Sequence, residues 1–415
     1  MKTIGIIAEY NPFHNGHRYH IETAKKQTNA DYVIVILSGN YVQRGEPAIT
    51  NKYSRTKMAL ENGADLVFEL PVAYATASAE GFAFGAISLL HSLGFVDAVC
   101  FGCETPSLSH LETIVDILSK EPDWYRSSLQ NFQKQGLTFP LAREKAILSH
   151  FSKENITTIS SEVLQDILSN PNNILALEYM KALKQLSSPI KPVAIQRKDA
   201  GYHCTSLNKS IVSATAIRTE YNRTKEIAFL SPYVPANVIS VLKEAENHTF
   251  PVLADDFSHV LSYKLLFTEN FTEYGSVTPD FSNRIKKCYA PTLSFTELAQ
   301  QLKSKNTVYT GVCRNLLQIL LNLKGINYKI SPPYLRLLGF KKSATKLLNK
   351  GKSSVFSPSI PIITKVSDYK KILSEDAQHI FEMDIAATHL YNSICFEKFG
   401  YAVKQEEKQG PVIVP

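Results

Sequence analysis

Apolar runs and polar punctuation alternate along the first 220 residues. Ile4-Gly5-Ile6-Ile7-Ala8 is a short apolar run, and Asn11-Pro12 ends it. A run of this length closed by such a breaker predicts a buried strand. A helical pattern follows from Gly16 or His17 to about Thr28. Tyr32-Val33-Ile34-Val35-Ile36-Leu37 predicts a second strand ending at Ser38-Gly39-Asn40, a polar loop covers Tyr41 to Thr50, and residues 51–62 read as a helix. The runs 65–71, 96–102 and 192–197 predict three more strands, and 76–93 is small and apolar enough for a buried helix. Asn170-Pro171-Asn172-Asn173 suits a helix start, with that helix reaching about Leu186. Strands alternating with helices predict an α/β fold, a doubly wound parallel sheet with helices on both faces. Residues 107–170 read as a polar helical insertion. Beyond about 225 the strand runs fade, and Leu, Ile and Lys recur at helical spacing, as in 315–324. The expected organisation is a sheet domain over 1–225 and a mostly α-helical domain over 226–415, with a loose tail from Gln405.

In such sheets ligands bind beyond the carboxyl ends of the strands. The loops leaving those ends carry His14, Ser38, Gln43, Arg44 and Gly102, so one crevice can hold all five. Around His14-Asn15-Gly16-His17 the chain runs strand, tight loop, helix N-terminus. Such a terminus presents unpaired N–H groups and a partial positive charge, which suit a phosphate. Gly16 permits close backbone approach, and imidazoles donate hydrogen bonds near pH 7 whether neutral or charged. Two other readings stay open here: His14, His17 and His20 at i, i+3, i+6 as metal ligands, or a solvated polar turn. The first is not the metalloprotease helix pattern, because no Glu separates His14 and His17. Ser213, Thr215 and Arg218 at another helix start form a second phosphate-contact candidate; the plain alternative is a Ser N-cap.

Composition narrows the classes. The chain has 415 residues, 44% of them apolar, as in soluble globular proteins. The start lacks a signal-peptide pattern, and no apolar run approaches the roughly 20 residues of a membrane span. Six cysteines are scattered, with one C-x-x-C at Cys100 and Cys103; without a second pair, buried free thiols in a reducing cytoplasm are the favoured reading. The net charge is +7, but between Arg284 and Lys352 there are 14 Lys or Arg and one acid, Glu297. That segment is +13 and the remainder about −6. A footprint this one-sided points to a polyanion, foremost nucleic acid. A solvated basic face and an anionic membrane are its alternatives. The absence of G-x-x-x-x-G-K-[ST] excludes a P-loop.

The H-x-G-H of His14–His17 together with Ser213-Ala214-Thr215-Ala216-Ile217-Arg218 resembles the HIGH nucleotidyltransferase superfamily. The longer string Glu9-Tyr10-Asn11-Pro12-Phe13-His14-Asn15-Gly16-His17 is more specific. With Gln43-Arg44-Gly45-Glu46-Pro47-Ala48, Arg55-Thr56-Lys57-Met58-Ala59-Leu60, Glu69-Leu70-Pro71, Pro171–Leu175 and 332–340, it resembles the bacterial tRNA(Met) cytidine acetate ligases over most of the chain. The resemblance implies a ligase that forms acetyl-adenylate from ATP and acetate. It would then acetylate N4 of the wobble cytidine of elongator tRNA(Met), giving N4-acetylcytidine, in the cytoplasm; no obligate protein partner is inferred. It carries the ATP site to Ile7, Ala8, Glu9, Asn11, Phe13, His14, Gly16, His17 and His20. Gly102, Asn172 (or its neighbour Asn173), Arg197, Ser213 and Thr215 complete that site. His14, His17 and Arg218 are the expected catalytic donors. Mg²⁺ suits a bridging place between phosphates, with no protein ligands identified. Lys341, Lys342 and Lys346, expected on an exposed helix, are the candidate tRNA contacts. The alternatives are a small-molecule adenylyltransferase, against which the basic segment argues, and a non-catalytic nucleotide- or RNA-binding protein.

Overall fold

The structure, a computed structural model, describes residues 1–197, 212–305, 307–350 and 358–415. Cys204 and the 200–211 loop lie outside these.

The strands are β1 Thr3–Ala8, β2 Tyr32–Ser38, β3 Tyr41–Val42, β4 Glu46–Pro47, β5 Leu66–Leu70, β6 Ala98–Cys103, β7 Lys191–Gln196, β8 Leu335–Lys341, β9 Ile362–Ile363 and β10 Val412–Val414. Eight form one sheet in the order β10-β8-β5-β2-β1-β6-β7, with β9 beside β8; β3 and β4 make a separate two-stranded ribbon. From β5 through β2, β1 and β6 to β7 all pairs are parallel, as the alternation of strands and helices requires. All five expected strands are present.

Helix α1 (Asn15–Thr28) and helix α2 (Lys52–Glu61) cover one face, packing with β1 and β2 side chains such as Ile6, Val35 and Leu37. The Ala79–Ser92 and Pro171–Gln185 helices cover the other face. The chain leaves central β1 for β2 and β5 on one side, then crosses to β6 and β7 on the other. The strand order therefore reverses beside β1, and the crevice at that reversal is where α/β sheets place ligands. The insertion is four helices, Leu108–Lys120, Asp123–Lys134, Phe139–Lys153 and Ser161–Ser169.

The part after residue 225 is mostly helical, with its own apolar cluster around Phe257, Phe281, Leu298 and Leu316. It also returns to the sheet. β8 pairs antiparallel with β5, and β10 pairs with β8. The tail from Gln405 is thus not loose: Glu406 is 3% exposed and β10 closes the sheet edge. Gly339 in β8 is needed for this, because a Cβ there would lie 2.7 Å from the Val412 carbonyl oxygen and 2.7 Å from Thr56 Cγ2.

Candidate active site

The site begins where β1 ends. Glu9 follows the strand, Tyr10 turns the chain with a φ of 48°, and the Asn11–Pro12 peptide is cis. The turn delivers His14 as the N-cap of α1. His14 Nδ1 accepts the Gly16 N–H at 3.1 Å, while His17 Nδ1 accepts the His14 N–H at 3.2 Å. The two imidazoles therefore perform the reciprocal capping that Ser and Glu usually share. An Nδ1 that accepts cannot carry the proton, so each ring holds its hydrogen on Nε2. The rings stack with centroids 3.5 Å apart, and Tyr10 and Phe13 pack against His17 at 4.8 and 5.5 Å.

Electrostatics keep these rings neutral. Burial, then the charges of Arg197 and Arg218, push His14 down to about 3. Burial pushes His20 down to about 4, with Arg197 adding to it. His17 is held well below its ordinary value by burial, then His14 and Arg197. The result is a set of uncharged N–H donors beside two guanidinium groups at a helix N-terminus, which suits a polyphosphate. The three histidines are not a metal triad: two of them spend Nδ1 on the backbone, and no group of three or more His, Cys, Asp or Glu suited to a metal exists among the described residues. The ring nitrogen His20 Nε2 is buried without a hydrogen-bond partner among those residues, as a group awaiting a ligand would be.

Around this core each expected residue has a definite place. Ile7 and Ala8 end β1, and Phe13 is fully buried. The Asn11 carbonyl accepts Arg218 Nη1 at 2.9 Å, and its side-chain oxygen accepts the Ile49 N–H at 2.7 Å. Arg218 also pairs with Glu46 at 2.7 Å, tying the Ala214–Thr224 helix to the β4 ribbon. Gly102, in β6, lies against the Arg197 side chain. Asn172 accepts Arg197 Nη1 at 3.1 Å and donates to Glu104 at 2.6 Å. Asn173 is fully buried instead, its side-chain oxygen accepting the Glu104 and Thr105 N–H groups. Asn172 is thus joined to Arg197, whereas Asn173 locks the loop after β6. Ser213 caps its helix through Ala216 N, and Thr215 is exposed on the first turn.

Arg55, on α2, joins the site without having been expected there. It is fully buried and donates to four main-chain carbonyls: Glu9 at 2.7 Å, Ser38 at 2.9 Å, Thr50 at 3.1 Å, and Gly39. The carbonyls of Glu9, Ser38 and Gly39 stand at the ends of β1 and β2, where the ladder stops, and that of Thr50 just precedes α2. Beside it, Lys52 Nζ bridges Glu69 and Glu406, each at 2.8 Å, with Arg336 3.8 Å from Glu406. The available signal is spacing: Lys52 and Arg55 share a helix face with Ala59.

The basic segment is partly spent on structure. Arg336 is 1% exposed, Arg284 pairs with Asp280 and Lys324 with Glu273. The expectation of one exposed helix for Lys341, Lys342 and Lys346 is corrected. Lys341 ends β8, Lys342 begins a 3₁₀ turn, and only Lys346 stands on an α-helix, its ammonium 5.5 Å from the Tyr32 ring. Because β8 runs antiparallel to β5, these lysines lie at the edge where the parallel strands start, opposite the histidines. The Tyr309–Leu320 helix lies nearer the crevice. Its Arg314 donates to the Gln43 carbonyl at 3.3 Å, and the backbone there abuts Gly45, whose φ of +81° and lack of Cβ permit the approach.

A reversed parallel sheet whose first helix is capped by H-x-G-H, with arginines converging on the same terminus, defines a nucleotidyltransferase-type site. The family model described as HIGH Nucleotidyl Transferase matches residues 1–407. The chain is 41% identical over 394 residues to the tRNA(Met) cytidine acetate ligase of Thermoanaerobacter sp. (strain X514), covering 94% of this chain and 95% of that one. It is 36% identical to the same-named protein of Acetivibrio thermocellus, over 100% of both. The chain thus belongs to the HIGH nucleotidyltransferase family, within its tRNA(Met) cytidine acetate ligases. Among solved structures, apo Thermotoga maritima TmcAL superposes with a TM-score of 0.93 at 30% identity, covering 100% of both chains. The same protein bound with alpha-thio ATP gives 0.90 at 29% identity, covering 100% of this chain and 99% of that one.

Proposed function

We propose that this chain is an ATP-dependent acetate ligase of tRNA. It forms acetyl-adenylate from ATP and acetate, then acetylates N4 of the wobble cytidine of elongator tRNA(Met). The observation that carries the proposal is the paired histidine cap. His14 and His17 present neutral Nε2–H groups at the N-terminus of α1, beside Arg197 and Arg218. Attack of the acetate carboxylate on the α-phosphate gathers negative charge on the phosphoryl oxygens, and preorganised donors stabilise that charge without an enzyme nucleophile. Mg²⁺ arriving with ATP would offset the charge of the phosphates; the described residues include no group of three or more His, Cys, Asp or Glu suited to hold it. Asn172 and Arg197 hold the nucleotide from the β6 side, and Arg218, Ser213 and Thr215 hold it from the Ala214–Thr224 helix. An unpaired anticodon base can be splayed out toward the crevice. The tRNA contacts we favour are Lys303 and Lys305. Both are exposed on the turn entering the Tyr309–Leu320 helix, and Tyr309 lies close enough to Glu46 to feel its charge. Lys341, Lys342 and Lys346 are a second, more distant set. Acetate-dependent exchange of pyrophosphate into ATP tests the first half-reaction. Exchange that needs acetate supports the ligase; exchange driven by a metabolite in place of acetate favours a small-molecule adenylyltransferase.

A further inference from the structure

Acetyl transfer to an exocyclic amine has a requirement that the phosphate donors do not meet. The amine nitrogen forms a bond to the acetyl carbonyl carbon. The carbon–oxygen bond to phosphate breaks, its electron pair leaving with AMP, and the nitrogen gives up one proton. That proton goes to a side chain of the crevice, to the departing phosphate or to water, and a positioned side chain makes the transfer fastest.

Most polar groups there cannot. His14 and His17 already spend Nδ1 on backbone N–H groups and carry hydrogen on Nε2, and His20 is pushed down to about 4, too weak a base near neutrality. Arg44, Arg55, Arg197 and Arg218 are cations with no acceptor atom. Glu46 is paired with Arg218 at 2.7 Å. Glu104 accepts from the Asn172 side chain at 2.6 Å and the Asn173 N–H at 2.9 Å.

Glu9 is different. Its Oε1 accepts the Gln43 N–H at 2.8 Å, and it forms no ion pair among the described residues. It is the first residue after β1, five ahead of His14. Tyr10 packs with the cluster on the face of α1 and α2 and Ile7 against the cluster on the other face, and the Glu9 charge is felt by Tyr179, a member of the latter. The charged and titratable groups that interact with its carboxyl are Arg44 and Glu46 from the ribbon loop, Arg55 from α2, Arg218 from the Ala214–Thr224 helix, and Tyr179 from the Pro171–Gln185 helix. Arg55 of α2 grips its carbonyl. The Glu9 carboxylate thus stands within reach of the Arg218 charge at the β1 tip, five residues before the His14 cap. A mixed anhydride whose phosphate sits on the α1 terminus would present its acyl carbon over that tip.

We propose that the Glu9 carboxylate is the proton acceptor in acetyl transfer to the cytidine amine; this rests on the ligase reading above. The carboxyl proton formed passes to solvent as AMP leaves. Burial raises the proton affinity of Glu9 above an ordinary carboxylate, in the direction that suits a base working near neutrality.

The test is a single-turnover reaction of the full-length enzyme with chemically prepared acetyl-adenylate and an unmodified elongator tRNA(Met) transcript, followed over a range of pH. Glu9→Gln is expected to slow transfer about 10²–10⁴-fold at saturating acetyl-adenylate. It should also remove the acid limb that wild type shows. Glu9→Asp should recover part of the rate with its acid limb displaced, which an unfolded variant cannot do. Transfer by Glu9→Gln as fast as wild type, an acid limb unchanged by either substitution, or no recovery with Glu9→Asp overturns the assignment. If wild type itself transfers no acetyl group, the ligase reading is what fails.

Discussion

The imidazole of His17 accepts the backbone N–H of His14 at 3.2 Å while the two rings lie stacked. Each histidine therefore fixes both the helix start and the tautomer of the pair. Because the cap consumes Nδ1, the remaining ring hydrogen of each histidine is on Nε2. Replacing either histidine by Ala should lower acetate-dependent ATP–pyrophosphate exchange by about 10²–10³-fold, the usual cost of one preorganised donor at developing charge. Binding of tRNA, measured by filter retention, should stay near wild type.

The same neutrality predicts the pH behaviour. With His14 at about 3 and His20 at about 4, no histidine in the crevice changes charge between pH 5 and 8. The exchange profile should show no inflection near the ordinary imidazole value. Stability carries the opposite signature. A buried histidine with a depressed folded value stays neutral as pH falls below about 6.5 while the unfolded chain takes up the proton. The free energy of unfolding should therefore decline from about pH 6.5 downward, by urea titration at stepped pH. A plateau through that range would contradict buried, neutral histidines.

Arg55 converts loop ends into a platform. Truncating it to Ala leaves four carbonyls without their charged donor, and each such bond is worth about 1.5–3 kcal/mol. Arg55→Lys keeps the charge but cannot span four acceptors. Exchange activity should fall for both, and less for Lys, with the Km for ATP rising because the His14 turn loosens. Steady-state kinetics at varied ATP checks this.

Glu406 anchors the tail to Lys52 in the core. Glu406→Gln leaves a buried ammonium sharing one carboxylate, and breaking such a pair costs about 3–5 kcal/mol. Denaturant melts should register that loss, whereas a free tail would leave them unchanged.

Charge on the crevice side should matter most for RNA. Neutralising Lys303 and Lys305 should lower the slope of log K against log salt by roughly 0.7–0.9 for each phosphate that then goes without a lysine partner. Neutralising Lys341, Lys342 and Lys346, at the opposite edge of the sheet, should lower it less. Equal or reversed effects would move the RNA track away from the Tyr309–Leu320 helix.

Legibility in the sequence followed the range of the interactions. The five parallel strands and the His14–His17 cap are local, written in short apolar runs and one turn, and they appear where the pattern puts them. β8 was hidden because Leu335–Lys341 carries Arg336 and Gly339, which dilute a strand pattern. Their reasons lie far along the chain, at Glu406 and Val412. Arg55 reads as a surface cation because its acceptors are carbonyls, which have no letter in the sequence. The 284–352 charge excess was plain, but not which cations the fold would bury.

The protein is incubated with ATP, isotopically labelled acetate and total bacterial tRNA, and the recovered RNA is digested to nucleosides. The label is expected in N4-acetylcytidine derived from elongator tRNA(Met), and its rate of incorporation is expected to fall about 10²–10³-fold with His14→Ala. Label in no nucleoside, or AMP transferred to a small metabolite instead, would contradict the account.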